Sequence, residues 1–293
     1  MSTFLVTGGT GRIGTECIAQ LASQGHRVKF ATRNPGGATA QFREKFGPGR
    51  VRAVGMDVND AASIDKALAD CTGALFISPI DESWHEQIAA QMKQSSLAFC
   101  VKVSVTGARG PDSDPPPGRL PSIHWRGEEH FRNSGVPTTC IRPTIFAQHF
   151  LGLNKVLFQP GDEAIHLPTG ETQVAFLDCR DIAHAATALL TNSKHQAQFA
   201  NQSFELTGST AVSGSEIAQI LSDVSGRMIR HVDGADAYSA HAAQIGESDW
   251  GKVIYKEAED GWFSDVHDDE FQALLGRHTN SFAKFAYDHR HAF

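Results

Sequence analysis

The sequence predicts an α/β fold, a doubly wound parallel sheet followed by a smaller α+β lobe. Three observations predict it. Short apolar runs alternate with helix-length segments through the first half of the chain, a glycine-rich turn separates the first run from the first helix, and the alternation turns irregular beyond Arg142. Strands that alternate with helices of about ten to fifteen residues imply βαβ units and a parallel sheet. Right-handed crossovers then place helices on both of its faces.

The elements follow in order. Thr3–Thr7 reads as a strand, Ile13–Ser23 carries helical spacing, and Arg27–Thr32 is a second strand. Val51–Met56 is a third strand, with Ala61–Ala69 helical after it. Ala74–Ser78 is the fourth, followed by a helix over Trp84–Gln94, and Phe99–Val105 is the fifth. Ile123–Asn133 is helical and Thr138–Ile141 is the sixth strand. Between the fifth strand and its helix, Gly110 to Ser122 holds five prolines. It is expected to be neither strand interior nor helix. That position is the carboxyl edge of the sheet, where doubly wound folds bind ligands. The segment reads either as a solvated loop or as a rim over a substrate.

The later half predicts helices over Asp181–Leu190, Ser215–Ser225, Asp268–Leu274 and Phe282–His289, and short strands at Phe204–Leu206 and Ile229–Val232. The expected division is a nucleotide-binding domain over residues 1–143 and a substrate-binding lobe over 144–293 that is not independent.

Composition excludes several classes. Apolar residues are 41% and charged residues 20%, an ordinary balance for a soluble globular protein. The net charge of −7 argues against nucleic acid as a general partner. No apolar run is long enough for a membrane span, and the N-terminus lacks the pattern of a signal peptide. The five cysteines are scattered, with no Cys-x-x-Cys pair. They read as reduced thiols of a cytoplasmic protein.

Gly9-Thr10-Gly11-Arg12-Ile13-Gly14 matches the dinucleotide fingerprint, and Gly8, Gly11 and Gly14 form an overlapping register after Thr7. A pyrophosphate is a poorly directional dianion, well held by the free N–H groups and positive dipole end of a helix N-terminus. Side chains would block that approach, so the contact positions need glycine. Gly8, Thr10, Gly11, Arg12, Ile13 and Gly14 are therefore expected to bind the cofactor of a Rossmann sheet. The bland alternative is a tight turn without a ligand. No triphosphate P-loop sequence occurs.

The second strand ends Ala31-Thr32-Arg33-Asn34. An NAD site usually ends this strand in a carboxylate for the ribose hydroxyls. None stands here, and Arg33 is suited to a 2′-phosphate, so NADP(H) is the expected cofactor. A solvated strand-end charge is the alternative reading of Arg33. Ser78, closing the fourth strand, is a further cofactor candidate.

No metal-binding constellation and no Gly-x-Ser-x-Gly elbow appear. Of the three tyrosines, Tyr238, Tyr255 and Tyr287, none is followed four residues later by lysine. The Tyr–Lys acid pair of the usual short-chain dehydrogenase is absent. His124 is expected to open the helix below the Pro-rich loop. Its ordinary pKa of about 6.5 suits proton transfer at neutral pH. It could equally orient a nicotinamide ribose or be structural. Arg126 reads as solvated or as an anion contact. Ser104, at the end of the fifth strand, is the second catalytic candidate.

Taken together these segments resemble the NmrA-like, atypical short-chain dehydrogenase/reductase family. The resemblance rests on Thr7-Gly8-x-Thr10-Gly11-x-x-Gly14, Thr32-Arg33, Ser104-Val105-Thr106-Gly107-Ala108 and His124-x3-Glu128 with Asn133-Ser134-Gly135. It continues through Cys140–Phe146, Phe176-x-Asp178-x-Arg180-Asp181-Ile182-Ala183, Phe204–Gly208, Gly276-Arg277 and Ser281-Phe282. It implies a Rossmann domain, a small C-terminal substrate lobe and NADP(H). It also implies that Pro143, Ile145 and Phe146 lie near the nicotinamide and Asp57-Val58 near the adenine. Members include quinone reductases, isoflavone reductase-like enzymes, festuclavine dehydrogenase-like enzymes and regulators that bind the dinucleotide without turnover. Isoflavone reductase-like members carry a catalytic lysine on the helix that holds His124; this sequence lacks it there. Some quinone reductase-like members carry histidine at that place.

The leading expectation is an NADPH-dependent reductase. It would pass hydride to a small organic acceptor, a C=C, C=N or quinone, of aromatic or apolar character, in secondary metabolism among other settings. Such acceptors are electrophilic enough to need little acid help. Phe146, Phe150, Leu151 and Trp125 are candidate walls for it. Two alternatives stay open, an NADP(H)-sensing regulator and a non-redox cyclase or isomerase. In the latter, Asp178 and Asp181 are candidate acids, with Asp181 also expected to cap its helix.

Overall fold

The computed structural model describes all residues other than 37–41, 43–45, 47–48, 115–117, 160, 249–250, 253–254 and 256–260. The first half forms β1 (Thr3–Val6), α1 (Arg12–Ser23), β2 (Arg27–Thr32), β3 (Val51–Gly55), α2 (Ala61–Leu68) and β4 (Gly73–Ile77). It continues with α3 (Glu82–Met92), β5 (Phe99–Val103), α4 (Arg119–Arg132) and β6 (Thr138–Pro143). Then come a 3-10 turn (Ala147–Leu151), β7 (Ala164–His166), α5 (Cys179–Thr191), α6 (Ser193–Phe199), β8 (Ser203–Leu206) and α7 (Gly214–Ser225). The chain closes with β9 (Arg230–Val232), α8 (Ala235–Gln244), α9 (Asp269–Leu275) and α10 (Phe282–Asp288).

The main sheet has seven strands in the order β3-β2-β1-β4-β5-β6-β8. The pairings from β3 to β6 are all parallel. Strands β1, β4 and β5 are buried almost throughout, as a sheet covered by helices on both faces requires. The order reverses between β1 and β4, which makes a topological switch point. Register aligns Val6 with Phe30 and Leu75, and Ile77 with Val103. Residues just past Val6, Thr32, Ile77 and Val103 therefore share one edge. A core of Leu5, Ile64, Phe76, Trp84, Ile88 and Phe131 packs on this sheet.

Backbone contacts divide the chain into two units that do not follow chain order. The first is Met1–Pro143 with Ile182–Glu205, and the second is Thr144–Asp181 with Leu206–Phe293. The division expected at 143/144 thus gains a return excursion. The four-residue strand at Ser203, expected in the C-terminal lobe, is the seventh strand of the main sheet. In the first unit, α5 meets α1 where Cys17 Sγ lies 3.5 Å from Thr187 Oγ1.

The second unit holds the parallel pair β7–β9 with α7 to α10. Its core is strongly aromatic, built on Phe150, Phe158, Phe176, Tyr238, Phe282 and Phe285. Neither β7 nor α8 was expected from sequence. Helix α7 starts at a capping box, Ser213 with Glu216.

Two further expectations are corrected. Helix α4 begins at Arg119, inside the Pro-rich segment. Pro121 sits in its first turn, where a missing N–H costs no helical bond. His124 therefore lies in the second turn and does not open the helix. The cap of α5 is Asp178, whose Oδ1 accepts from the Arg180 amide at 2.9 Å, not Asp181. Asp181 accepts instead from Arg277 and from the Asn280 amide at 2.7 Å.

Candidate functional site

The glycine loop is shaped by backbone contact. Gly8 adopts a left-handed conformation, φ +60°, and its carbonyl accepts from the Gly11 amide at 2.9 Å. A Cβ at Gly14 would fall 2.3 Å from that carbonyl and 2.8 Å from Gly9 Cα. Only glycine lets α1 start this close to β1. Thr7 pins the loop to β4, donating to the Ile77 carbonyl at 2.9 Å and accepting from its amide at 2.7 Å. Gly11 is the N-cap of α1 and no side chain caps it. The result is a helix N-terminus at the switch-point edge without a capping side chain, the arrangement that binds anions. Thr10, Gly11 and Arg12 are exposed there, while Ile13 and Gly14 are buried.

Arg33 is exposed just past β2 and lines a cleft of about 820 Å³ together with Arg52, Lys66, Asp57 and Asp60. Asp57 closes a turn after β3. Its amide donates to Ser63 Oγ at 2.9 Å, and its Oδ1 takes the Asn59 amide at 3.0 Å. Val58 packs against the first unit's core.

Next to the loop, along β4 and β5, a buried polar cluster fills the space below α3 and α4. Ser78 Oγ lies 2.8 Å from His85 Nε2. The His85 and His124 rings stand edge-on, centroids 5.9 Å apart. Gly127 makes room for this pair, since a Cβ there would lie 2.7 Å from the His85 ring. Lys102, fully buried on β5, places Nζ 3.3 Å from His124 Nδ1 and donates to the Val103 carbonyl at 3.3 Å. Burial, then the Lys102 charge, pushes the His124 pKa down to about 3. His85 is pushed down to about 3 for the same two reasons. His124 is thus a neutral imidazole at physiological pH, contrary to the expectation of titration near neutrality. Burial also lowers Lys102, to about 8.

Ser104 is buried, and its hydroxyl donates to Glu128 Oε1 at 2.6 Å. Its proton is committed there, so towards any other group it can only accept. Glu128 also takes a bidentate pair from Arg142 (2.9 and 2.7 Å), a bond from Arg132 (2.9 Å) and one from Ser203 (2.8 Å). Burial alone would raise this carboxyl, but the Arg142 hydrogen bond and charge, then the serines, hold it below its usual range. Arg126 pairs with Glu82 at 2.6 Å, both half-exposed.

The structure therefore gathers Gly8 to Gly14, Ser78, Ser104 and His124 on one sheet edge. Pro143 ends β6. In the second unit Ile145 belongs to the aromatic core and Phe146 is half-buried, its backbone bridged to Leu177. Phe150 is core, whereas Trp125 is half-buried beside Gly110. Sequence reasoning missed Lys102 and His85. A lone lysine inside the apolar run Phe99–Val103 was the available clue, because a charge buried in a central strand must have a partner. Among the described residues no three metal-ligating side chains come together, and no helix is long and apolar enough to cross a membrane.

Fold and site define a Rossmann-type α/β protein with a glycine cradle at its switch point. The NmrA-like family matches residues 1–241, and the chain belongs to that family. It is 29% identical to an NAD(P)H azoreductase of Xenophilus azovorans over 99% of this chain and 98% of that one. It is 30% identical to (4-alkanoyl-5-oxo-2,5-dihydrofuran-3-yl)methyl phosphate reductase of Streptomyces griseus, over 80% and 78% of the two chains. Among solved structures it is similar to Citrobacter sp. triphenylmethane reductase complexed with NADP(H), with TM-score 0.79, 23% identity, and coverage of 99% and 100%.

Proposed function

We propose that this protein is an NADPH-dependent reductase of a small, conjugated organic acceptor. The observation that carries the reading is the shared edge. A glycine cradle without a capping side chain and a neutral imidazole are linked there through Thr7–Ile77 and Ser78–His85. The cradle fits a pyrophosphate, since the N-terminus of α1 carries no capping side chain and Thr10, Gly11 and Arg12 are exposed there. Gly8, Thr10, Gly11, Arg12, Ile13 and Gly14 would hold the phosphates, Arg33 the 2′-phosphate, and Asp57-Val58 the adenine side. Pro143, Ile145 and Phe146 remain proposed neighbours of the nicotinamide, and Ser78 a further proposed cofactor contact. When bound, NADPH supplies hydride to the acceptor. His124 would present a neutral N–H to the atom that gains charge, and Ser104 would keep Glu128 and its arginines in place.

The azoreductase and triphenylmethane reductase relatives support an acceptor of aromatic character. None of the five cysteines forms a disulfide, which supports a reducing compartment, the cytoplasm. The test is loss of NADPH absorbance against a panel of quinones, azo compounds, enones and imines. Consumption with at least one class is expected. Saturable binding without consumption on any would overturn the reading in favour of a sensor.

Arg33→Asp tests the cofactor choice. Losing a charge-assisted contact of about 1.5–3 kcal/mol predicts a tenfold to hundredfold weaker Kd for NADPH. NADH affinity is expected to hold or improve. Equal NADPH titration curves for variant and wild type would remove Arg33 from the site.

A further inference from the structure

We infer that Lys102 is a positioning residue that fixes the tautomer of His124, so that its Nε2 carries the proton offered to the acceptor, and that Lys102 returns that proton through Nδ1. A lysine ammonium has three donors and no acceptor. Placed 3.3 Å from His124 Nδ1, it requires that nitrogen to be the acceptor. The single proton of a neutral imidazole then sits on Nε2, which has no hydrogen-bond partner among the described residues. The ring is held in this attitude by the His85 edge and by the β5 backbone, to which Lys102 also donates.

Neutral imidazole is by itself a very weak acid. Its Nε2 proton can leave at neutral pH only if Nδ1 gains one at the same time. Lys102 is a suitable source, since burial has brought it down to about 8. Its charge is set by Cys140 and Arg142 on β6, by Glu128, Arg132 and His124 on α4, and by His85 on α3. Glu128 and Cys140 favour its protonated form and the two arginines oppose it.

The step rests on the reductase reading for its final acceptor. Hydride and its electron pair come from the reduced nicotinamide dinucleotide. The acceptor atom left anionic takes the proton from Nε2. Nδ1 takes one from Lys102 Nζ, which becomes a neutral amine. The N–H bonds at Nε2 and Nζ break, a new bond to hydrogen forms on the product, and another forms at Nδ1. One proton from solvent, taken at Nε2 while Nδ1 hands its proton back to the Lys102 amine, restores the resting state. No imidazolium and no imidazolate is formed.

Nitrogen NMR of histidine-labelled wild-type protein, with His124 assigned through His124→Gln, reads the tautomer without any turnover. A protonated Nε2 and a bare Nδ1 are expected at neutral pH; a protonated Nδ1 overturns the inference. Lys102→Met is expected to release both tautomers and to lower turnover about a hundredfold, with NADPH affinity unchanged. Wild-type turnover is expected to fall as pH rises through about 8, where Lys102 loses its proton. Lys102→Arg cannot give up its proton, so it should keep the tautomer and the NADPH affinity while its turnover falls as in Lys102→Met and the alkaline limb near pH 8 disappears. A Lys102→Met protein with the wild-type tautomer, or with the wild-type pH profile, overturns the assignment. Absence of turnover on every acceptor would overturn the reductase reading and the proton return together, while the NMR result still decides the positioning role.

Discussion

Gly14→Ala is expected to weaken dinucleotide binding by about tenfold to hundredfold. The added methyl would stand 2.3 Å from the Gly8 carbonyl oxygen and 2.8 Å from Gly9 Cα. Both are backbone atoms, so no rotamer change relieves the contact. Either α1 slides away from β1 or the Gly8–Gly11 turn opens, and both outcomes misplace the helix N-terminus. Overpacking of this kind costs about 1–3 kcal/mol, which corresponds to the stated range if the strain is relieved in the loop. Gly11→Ala is the internal comparison. Its methyl would meet the same oxygen at 3.2 Å, so a smaller effect is expected. Fluorescence titration of NADPH, with circular dichroism to confirm folding, measures both. Wild-type affinity in Gly14→Ala would mean that the cradle is not the binding site.

The largest stability effect is expected at Glu128. Its carboxylate is wholly buried and accepts from Ser104, Ser203, Arg132 and both arms of Arg142. Glu128→Ala removes that acceptor and leaves two arginines facing each other in a largely closed space. Breaking a buried ion pair from one side costs about 3–5 kcal/mol. For a chain of this size a fall in Tm of about 6–10 °C is expected. The pH dependence has a defined sign. The folded pKa of Glu128 lies below its unfolded value, so its contribution is complete above about pH 4.3 and is lost as pH falls through the folded value. Glu128→Gln should therefore flatten the acid limb of the stability curve. Unchanged thermal unfolding in Glu128→Ala would show that the network adds nothing net.

Much of the fold was legible because its cues are local. The glycine cluster sits between a strand and a helix, and the steric reason for it is contained in eight consecutive residues. Arg33 stands out by position, since it ends the strand where a carboxylate would otherwise stand; its pairing with a 2′-phosphate belongs to the proposal. The start of α4 is not legible from proline content, because Pro121 falls in the first turn, where proline is tolerated. Strand β8 falls in the other unit because the short alternating segment Ser203-Phe204-Glu205-Leu206 does not encode which sheet completes its hydrogen bonds. His124 was found but its protonation was misjudged. Its low pKa depends first on burial and then on Lys102, which is distant in sequence, and both arise only when α4 packs over β5. Glu128 stands within a motif and Arg132 follows it at helical i,i+4 spacing, yet its other partners come from the end of β5, from β6 and from β8, and no spacing rule links those.

The return of residues Ile182–Glu205 to the first unit has a practical consequence. A fragment truncated after Pro143 would not be a minimal nucleotide-binding protein. It would leave β6 as a sheet border with open amides and carbonyls, and it would strip Thr187 and Leu190 from α1 and Gly73. Such bare borders recruit other chains. Expression of that half alone should yield aggregates, and the second unit can be engineered or exchanged only as an insertion in two pieces, never as a simple C-terminal graft.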